Sequence, residues 1–355
     1  MTTANFDPNA AASAESGIFG HPGDPTAYDA ARLVYLPVPW EATTSYGGGT
    51  SQGPRAILAA SRQVDLYDLD VEKPYEAGLY MLAEDPETVR DNEAARAEAM
   101  KVIAVGGAID DDPALAEALA AVNRTSDALN ERVYRQSRAI LGDGKILALV
   151  GGDHSTPWGA IRAAAEAFGE IGILHFDAHS DTRIAYEGFT HSHASIMHNV
   201  LTRIPGVTKL TQVGIRDVCE QEIAFCLDQG ARVSMFTDRA LQAKKFLGAP
   251  WARVADEIVA TLPPQVWVSF DIDGLDPRFC PHTGTPVPGG IDFAEANFLL
   301  GALARSGRRI IGFDLNEVAP NLADPDDEWD ANVGARLLYK LTGWTLVSQG
   351  LARAL

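Results

Sequence analysis

The chain has 355 residues, of which 46% are hydrophobic and 22% charged, so it can bury the full core of a globular protein. Its 48 acidic and 29 basic residues leave a net charge of −19, which argues against nucleic acid or an anionic membrane surface as a partner. The same charge suits a cationic small molecule or metal ions, or serves solubility alone. The three cysteines form no CxxC pair, which is typical of a protein from a reducing compartment. Residues 1–25 lack the features of a signal peptide, and no apolar run has the length of a membrane span. We therefore predict a cytoplasmic protein.

Short apolar runs predict the strands of a buried sheet. Each run is bounded by Gly, Pro or Asp, and its apolar residues are continuous rather than alternating, which is typical of strands covered on both faces. The predicted strands are, in chain order, Leu33–Pro39, Ile146–Val150, Ile171–Phe176, Leu210–Ile215, Val266–Phe270 and Ile310–Leu315.

Segments with apolar residues at helical spacing separate these runs. The longest, Pro113–Leu141, opens after the acidic residues 110–112 and ends at Gly142. A second helix is predicted to begin after Ser155 as its N-cap, with Pro157 in its first turn. Further helices are predicted at Glu220–Gln229, Trp251–Leu262, Phe293–Arg305 and Asn332–Thr342.

The alternation of strands and helices predicts a parallel sheet with helices on both faces. There is no repeat, no long low-complexity linker and no composition break after residue 30. We therefore predict one domain over residues 31–355, preceded by a flexible or oligomer-contacting extension over residues 1–30. Because ligands of open α/β sheets bind at the carboxyl ends of the strands, the polar residues that follow each run are the candidates for function.

Polar motifs follow three of the predicted strands. The sequence reads GGDHS at residues 151–155, DAHSD at residues 177–181 and DIDGLDP at residues 271–277. Side chains two residues apart in an extended chain point the same way. The acidic and histidine side chains within each of the last two motifs can therefore converge, namely Asp177, His179 and Asp181 in one and Asp271 and Asp273 in the other.

This concentration of carboxylates and imidazoles indicates bound cations. Like charges a few ångströms apart raise one another's pKa values, and two divalent cations would neutralise them. Oxygen and nitrogen ligands without thiolate favour Mn²⁺, with Fe, Co, Ni or Zn as alternatives, and the histidines argue against Ca²⁺. A single Asp or His at a strand end is more often a helix cap or a surface group, so it is the joint occurrence of the three motifs that indicates function.

With these motifs, residues 32–345 resemble the ureohydrolase family, which includes arginase, agmatinase, guanidinobutyrase and formiminoglutamase. The resemblance implies a three-layer α/β/α sandwich around a mainly parallel eight-stranded sheet, assembled as a homo-oligomer, either a trimer or a hexamer. It implies that one metal is held by His154, Asp177, Asp181 and Asp271. It implies that the other metal is held by Asp177, His179, Asp271 and Asp273, so that two aspartates bridge the pair.

The resemblance extends to residues on the substrate side. In the segment GFDLNEVAP, residues 312–320, Glu317 stands where the family glutamate binds the guanidinium, and a carboxylate can hold this planar cation bidentately. In residues 190–195, His193 fits the register of the family's substrate-side histidine better than His191, which remains a rival. His193 is therefore predicted to contact the substrate and to shuttle protons.

The implied reaction is hydrolysis of a guanidino compound to urea and an amine. Two divalent cations would activate water near neutral pH. Glu317 would hold the guanidinium in position for attack. Asp181 would accept the proton and pass it to the departing amine, and His193 would relay protons to solvent.

Residues that would contact the rest of the substrate differ from the arginase pattern. Residues 182–189 lack the asparagine and serine of arginases, and Cys219 stands where an acidic residue would meet an α-ammonium, so arginine is predicted to be a poor substrate. Arg183 pairs either with a substrate carboxylate, which would favour a guanidino acid, or with Glu187. Residues 43–50 either resemble the agmatinase-type entrance loop, with glycine in place of its arginine, or form a glycine-rich turn without ligand contact.

We therefore predict an agmatinase-like amidinohydrolase, with guanidinobutyrase, guanidinopropionase, free-guanidine hydrolase and arginase as alternatives. Two other classes compete, namely a single-zinc deacetylase on a related fold and a non-catalytic family member. The second DxD motif and the two metal histidines argue against the first, and the presence of every expected ligand argues against the second. His175, inside a buried run, and His282, in the loop after residue 277, are interpreted as structural.

Overall fold

A computed structural model describes residues 7–13, 16–20 and 25–355, and the remaining residues, which include His21 and much of the predicted N-terminal extension, lie outside the described part of the chain. The strands are β1 (Leu33–Val38), β2 (Val71–Glu72), β3 (Leu79–Met81), β4 (Ile146–Gly151), β5 (Ile171–Phe176), β6 (Val207–Ile215), β7 (Val233–Thr237), β8 (Gln265–Asp271), β9 (Arg309–Asn316) and β10 (Arg353–Ala354). The helices are α1 (Pro25–Ala30), α2 (Gly53–Ala60), α3 (Pro86–Ile103), α4 (Pro113–Gly142), α5 (Trp158–Phe168), α6 (Ile196–Arg203), α7 (Glu220–Asp228), α8 (Asp238–Phe246), α9 (Trp251–Ala260), α10 (Phe293–Arg305) and α11 (Trp329–Ser348).

Eight strands form one sheet in the order β3-β1-β4-β9-β8-β5-β6-β7, and every neighbouring pair is parallel. The strands β2 and β10 form a separate antiparallel pair. The predicted eight-stranded parallel sheet is confirmed, and each of the predicted runs is one of its inner strands. The strands that the apolar runs did not predict, β3 and β7, are the two edges of the sheet. The strand β3 is only three residues long, and β7 is half-buried and contains Ser234 and Thr237, so neither gives a continuous apolar run of strand length.

Helices on both faces of the sheet complete three layers. One apolar core lies between the sheet and α2, α9, α10 and α11, and a second lies between the sheet and α4, α5 and α6. Trp267 and Val268 are neighbours in β8, and they enter the second and the first core respectively. Because successive residues of a strand point to opposite faces, a strand buried on both faces needs the unbroken apolar run seen in the sequence.

The five helices α4, α7, α9, α10 and α11 confirm the predicted helical segments, with α4 beginning at Pro113 after its N-cap Asp112. The prediction that Ser155 is an N-cap is wrong. The Ser155 hydroxyl donates to the Asp153 carboxylate instead, and α5 begins at Trp158. The helix α3 was not predicted because its buried face consists largely of small and polar residues, such as Asn92 and Ala95.

Part of the predicted N-terminal extension packs against the sheet. The ring of Phe19 is fully buried and meets Tyr35 of β1 edge-on, with 4.9 Å between the ring centroids. The carbonyl of Phe19 accepts a hydrogen bond of 2.8 Å from the backbone N–H of Met81 in β3. Residues 16–20 therefore cover the edge of the sheet next to β3.

The three cysteines, Cys219, Cys226 and Cys280, are all unpaired. No helix in the described ranges is both long enough and apolar enough to cross a membrane.

Candidate metal centre

The strands that precede the polar motifs lie side by side in the middle of the sheet, in the order β4-β9-β8-β5. The register pairs Val150 with Leu315, Leu315 with Phe270, and Phe270 with Phe176. These four strands therefore end at the same level, and the chain that follows each of them emerges at one edge of the sheet. The sheet brings together residues that are more than a hundred positions apart in the sequence.

His154 faces three carboxylates with one ring nitrogen. Its Nδ1 atom lies 3.1 Å from Asp177, 3.4 Å from Asp181 and 3.2 Å from Asp271. Its Nε2 atom lies 2.9 Å from the hydroxyl oxygen of Ser269, whose own proton is donated to Asp314 at 2.8 Å. The Ser269 oxygen is thus available to accept from Nε2–H, which leaves the lone pair of Nδ1 facing three anions. A cation between them satisfies all four groups, and this orientation is typical of metal-binding histidines.

Asp177 presents its two oxygens to two different histidines. Its Oδ2 atom is the one that approaches His154, whereas its Oδ1 atom lies 3.4 Å from Nδ1 of His179. His175 holds the carboxylate from behind, with Nε2 at 2.8 Å from Oδ2, while Gln212 donates to the other ring nitrogen of His175 at 3.1 Å. Both nitrogens of His175 are therefore satisfied inside the core. Asp177 has the geometry of a carboxylate that can bridge two cations.

Asp271 and Asp273 converge through a turn. Asp271 ends β8, and Asp273 lies in the 3-10 turn Ile272–Gly274, with its backbone N–H donating to Asp271 at 2.8 Å. Asp181 has a positive φ of 56°, so the chain is not extended there either. The side chains converge as predicted, but the predicted cause, an extended chain whose alternate side chains point the same way, is wrong. Tight backbone turns bring them together.

Groups of potential metal ligands lie at this edge of the sheet, and within each group the ligand atoms are all within 4.8 Å of one another. The groups are His154, His175, Asp177 and Asp181; Asp177, His179 and Asp273; and Asp271, Asp273 and Glu317. The Oδ2 atom of Asp273 lies 3.0 Å from Nδ1 of His179, yet it makes no well-aligned hydrogen bond with any described residue. A buried carboxylate oxygen and a partly exposed ring nitrogen that face each other without such a bond fit a cation lying between them.

The electrostatics also favour bound cations. Burial, and next the charge of Asp177, raise the pKa of Asp181 to about 8. Burial and the charge of Asp273 raise the pKa of Asp271 well above its usual range. Burial also acts to raise the pKa of Asp177, but its electrostatic interaction with His175 and its contacts with the rings of His154, His175 and His179 hold it well below its usual value. Crowded carboxylates thus resist ionisation, as the sequence predicted for the cluster, with Asp177 as the exception.

Glu317 lies beside this cluster. Its carboxylate is buried, and Oε1 accepts from the backbone N–H of His154 at 3.3 Å. Its own N–H donates to the carbonyl of Gly152 at 2.7 Å, and Thr283 donates to its carbonyl at 2.7 Å. Its φ of 63° is rare for a residue other than glycine. Such conformations persist when the surroundings impose them and are frequent at functional sites.

The two candidate histidines of residues 190–195 lie in different places. His193 has Nδ1 at 3.5 Å from Oε1 of Glu317, and its buried Nε2 atom has no hydrogen-bond partner among the described residues. Burial alone would lower the pKa of His193, but Glu317 next to it raises that pKa to about 9. His191 instead lies 2.9 Å from Asn130 and 3.1 Å from Asp127.

A cavity of about 400 Å³ opens onto the cluster. Its wall includes His179, Asp181 and His193 on the inside, and the remaining lining residues are Ser45, Tyr46, Arg183, Tyr186, Ala194, Asp217, Val218, Glu222, Gly284, Thr285, Pro286 and Val287. Ser45 and Tyr46 thus place the glycine-rich loop at the cavity. Gly47, with a φ of 65°, approaches Gly284 so closely that a Cβ atom would lie 2.9 Å from the Gly284 Cα.

Charged residues of the cavity wall pair differently from the prediction. Arg183 has Nε at 3.6 Å from Glu222, so the predicted pairing of Arg183 with Glu187 is wrong. Glu187 instead accepts a hydrogen bond of 2.7 Å from Ser45. Cys219 is the N-cap of α7, and its N–H donates to Glu222 at 3.0 Å.

Several supporting residues were not predicted from the sequence. Ser269 and Asp314 orient His154, and the signal that could have revealed them is a polar residue inside an otherwise apolar strand. Arg216 donates to the carbonyls of Asp273 at 2.7 Å and Val287 at 2.9 Å. It therefore ties a candidate ligand loop to the cavity wall.

His282 is a loop residue that connects the cavity wall to α11, in agreement with the predicted structural role. Its backbone N–H and its Nδ1 atom each lie 2.9 Å from an oxygen of Asp330, which is buried in the first turn of α11. The nearby indole N–H of Trp329 donates to the carbonyl of Arg278 at 2.9 Å. The segment that carries residues 284–287 is therefore anchored on α11.

A parallel sheet whose four central strands end in a cluster of carboxylates and histidines defines an α/β protein with a candidate binuclear metal centre. The chain belongs to the arginase family, whose family model matches residues 31–343. It is accordingly an amidinohydrolase, a hydrolase of C–N bonds in linear amidines.

Three known proteins illustrate the relationship. N(1)-aminopropylagmatine ureohydrolase of Thermus thermophilus is 32% identical over 306 residues, which are 86% of this chain and 87% of that protein. The agmatine ureohydrolase of Thermoplasma volcanium has the same fold, with a TM-score of 0.67, 22% identity and coverage of 91% of this chain and 92% of that chain. The formiminoglutamase of Trypanosoma cruzi, whose crystal structure contains Mn²⁺, shares the fold with a TM-score of 0.65, 16% identity and coverage of 88% and 93%.

Proposed function

We propose that this protein is a binuclear-metal, agmatinase-like amidinohydrolase that cleaves a guanidino compound to urea and an amine. The observation that carries the proposal is the position of Glu317. This buried carboxylate lies beside the candidate ligands Asp271 and Asp273 and faces the interior of the site together with His193. A guanidinium is the planar cation that such a carboxylate binds best.

The proposed ligands of one metal are His154, Asp177, Asp181 and Asp271, and those of the other are Asp177, His179, Asp271 and Asp273. Bound divalent cations would supply Lewis acidity and make water nucleophilic near neutral pH. The oxygen and imidazole ligands favour Mn²⁺, with Ni, Co, Fe and Zn as alternatives. The distances around His154 and Asp177 support this assignment.

Residues of the chain would perform the remaining steps. Glu317 orients the guanidinium, so that its carbon lies within reach of the attacking water. Asp181, which lines the cavity, accepts a proton and delivers it to the departing amine. His193 contacts the substrate and exchanges protons through Nε2, the ring atom without a partner among the described residues.

The substrate is proposed to be a guanidino compound other than arginine. The position expected for a carboxylate that binds an α-ammonium holds Cys219, and the nearby Glu222 is already engaged by the N–H groups of Thr182 and Cys219, each at 3.0 Å. Guanidinobutyrate, guanidinopropionate and free guanidine remain alternatives, the first two because Arg183 could still meet a substrate carboxylate.

A substrate panel tests the proposal. The protein is loaded with Mn²⁺ or Ni²⁺, metal content is measured, and urea release is followed from agmatine, guanidinobutyrate, guanidinopropionate, arginine and guanidine. We expect two metals per chain and urea from agmatine, with arginine a poor substrate. One tightly bound zinc with amide hydrolysis would favour a deacetylase-like activity, and a metal-loaded protein that releases no urea would favour a non-catalytic role.

The cellular location and the assembly of the protein are also proposed. The three unpaired cysteines support a cytoplasmic location. We also propose one domain over residues 31–355 with an extension over residues 1–30, assembled as a trimer or hexamer, which light scattering of the full chain would test.

A further inference from the structure

The outer wall of the cavity carries a carboxylate that makes no ion pair with any described residue. Asp217 follows the carboxyl end of β6, lines the cavity and is exposed. Its backbone N–H donates to the carbonyl of Ala178 at 3.1 Å, and it forms an isolated β-bridge with His179. Its backbone is therefore fixed relative to the candidate ligands, although its side chain belongs to the mouth of the cavity.

Other charged groups on the outer wall compensate one another. Arg183 lies 3.6 Å from Glu222, and its guanidinium is 5.2 Å from the centre of the Tyr186 ring. Glu222 is buried and also accepts from the backbone at Thr182 and at Cys219. Because Arg183 and Glu222 neutralise each other, the carboxylate of Asp217 gives the outer cavity an uncompensated negative charge.

The wall between the metal cluster and Asp217 is suited to a hydrocarbon chain. Tyr46, Tyr186 and Val287 line the cavity together with Pro286. Aromatic and aliphatic surfaces of this kind hold methylene groups, and tyrosine rings also attract cations. The cavity is thus polar at its inner end, partly apolar along its wall and anionic at its mouth.

We propose that Asp217 selects the substrate by binding a positively charged group at the end remote from the guanidinium. The inference rests on the proposed function and narrows its substrate class to guanidino compounds with an amine or polyamine tail. Such a tail carries an ammonium that an exposed carboxylate attracts, whereas a tail that ends in a carboxylate is repelled. This charge selection distinguishes agmatine-like substrates from guanidinobutyrate.

The test compares tails of different charge on the Mn²⁺-loaded protein. The substrates are agmatine, aminopropyl-extended agmatine, butylguanidine, whose tail is neutral, and guanidinobutyrate. For Asp217→Asn we expect kcat/KM to fall about two- to fivefold for the two amine-tailed substrates, mainly through KM, as is usual for loss of an exposed charge contact. Butylguanidine should be unaffected, and guanidinobutyrate should be unaffected or improved.

Two control variants separate a local contact from general electrostatics. Asp217→Glu keeps the charge and should retain the preference for amine tails. Glu220→Gln removes a charge from an exposed residue that does not line the cavity, and it should change no substrate preference. An Asp217→Asn protein with the wild-type ranking of tails, or with the same loss for butylguanidine as for agmatine, would overturn the inference.

Failure of the inference differs from failure of the proposed function. Urea release with an unchanged tail preference contradicts only the role of Asp217. If wild-type protein released no urea at all, calorimetric titration with butane-1,4-diamine and butylamine would still measure the contact. Tighter binding of the diamine that disappears in Asp217→Asn would support the inference, and equal binding of the two amines would overturn it.

Discussion

Nδ1 of His193 lies 3.5 Å from Oε1 of Glu317, and the same oxygen accepts the backbone N–H of His154 at 3.3 Å. One carboxylate thus contacts both His193, the proposed substrate-side histidine, and the segment that carries a candidate metal ligand. Burial acts to raise the pKa of Glu317, but His193 lowers it below its usual value, so the carboxylate is kept ionised. A buried, ionised carboxylate requires a cationic partner, which His193 provides here, and a guanidinium is another cation that such a carboxylate pairs with.

Glu317→Gln should separate substrate binding from metal binding. We expect the variant to retain both metals and the fold, because Glu317 is not a proposed ligand, while kcat/KM falls by tens- to hundreds-fold. A buried, charge-assisted contact replaced by a neutral amide costs about 2–4 kcal/mol. Melting temperature, metal content and kcat/KM are measured on one preparation. Normal kcat/KM in a stable protein would remove Glu317 from the mechanism, and a lowered melting temperature with normal kinetics would make it structural.

Asp271→Asn should remove most of the metal and the activity. Asp271 lies 3.2 Å from His154 and accepts from the backbone of Asp273, so it contacts both proposed ligand groups. We expect a loss of at least about a hundredfold in turnover, since Asp271 is proposed as a ligand of both metals and its loss would affect both. Elemental analysis and urea release provide the readouts, with Asp276→Asn from the same motif as the matched control. A fully metallated, active Asp271→Asn protein would place the centre elsewhere.

Arg216→Met should weaken metal retention without removing a ligand. The guanidinium donates to backbone carbonyls of Asp273, Leu275 and Val287, so its loss frees the ligand loop from the cavity wall. We expect metal affinity to fall about 10–100-fold, as for other residues that orient metal ligands. The control is Arg278→Met, which removes an exposed arginine of the same loop that pairs with Asp292. Equal metal affinity in the two variants would contradict this role.

His191 should make folding stability sensitive to mild acid. Burial lowers its pKa in the folded state, Arg203 adds to this effect, and Asp127 opposes it, while Asn130 also contacts the ring. The unfolded chain therefore binds a proton at this residue at a higher pH than the folded protein does. The contribution of His191 to the free energy of unfolding is fully present above about pH 6.5 and declines as the pH falls below that value.

The measurement is the free energy of unfolding of the wild type and of His191→Gln, by denaturant titration at about pH 8 and about pH 5.5. The wild type should lose more stability between the two pH values than the variant does, because only the wild type carries this group. An equal loss in both proteins would show that His191 does not contribute to the pH dependence.

The inner strands of the sheet and the positions of the three metal motifs could be predicted from the sequence alone. Strands β4, β5, β8 and β9 are buried on both faces, which requires continuous apolar runs, and a parallel sheet requires that the polar residues after those runs share one edge. These predictions need only local information, namely the apolar residues of each strand and the polar residues that follow it.

Other features were decided only by the tertiary structure. The edge strands β3 and β7 are defined by pairing with a neighbour, since β3 is only three residues long and β7 mixes apolar residues with Ser234 and Thr237. The pairing of Arg183 with Glu222 rather than Glu187, and the approach of His193 rather than His191 to Glu317, depend on how loops pack against one another. Long flexible side chains can reach several partners from one sequence position, so which contact forms is set by the arrangement of distant segments and not by local spacing.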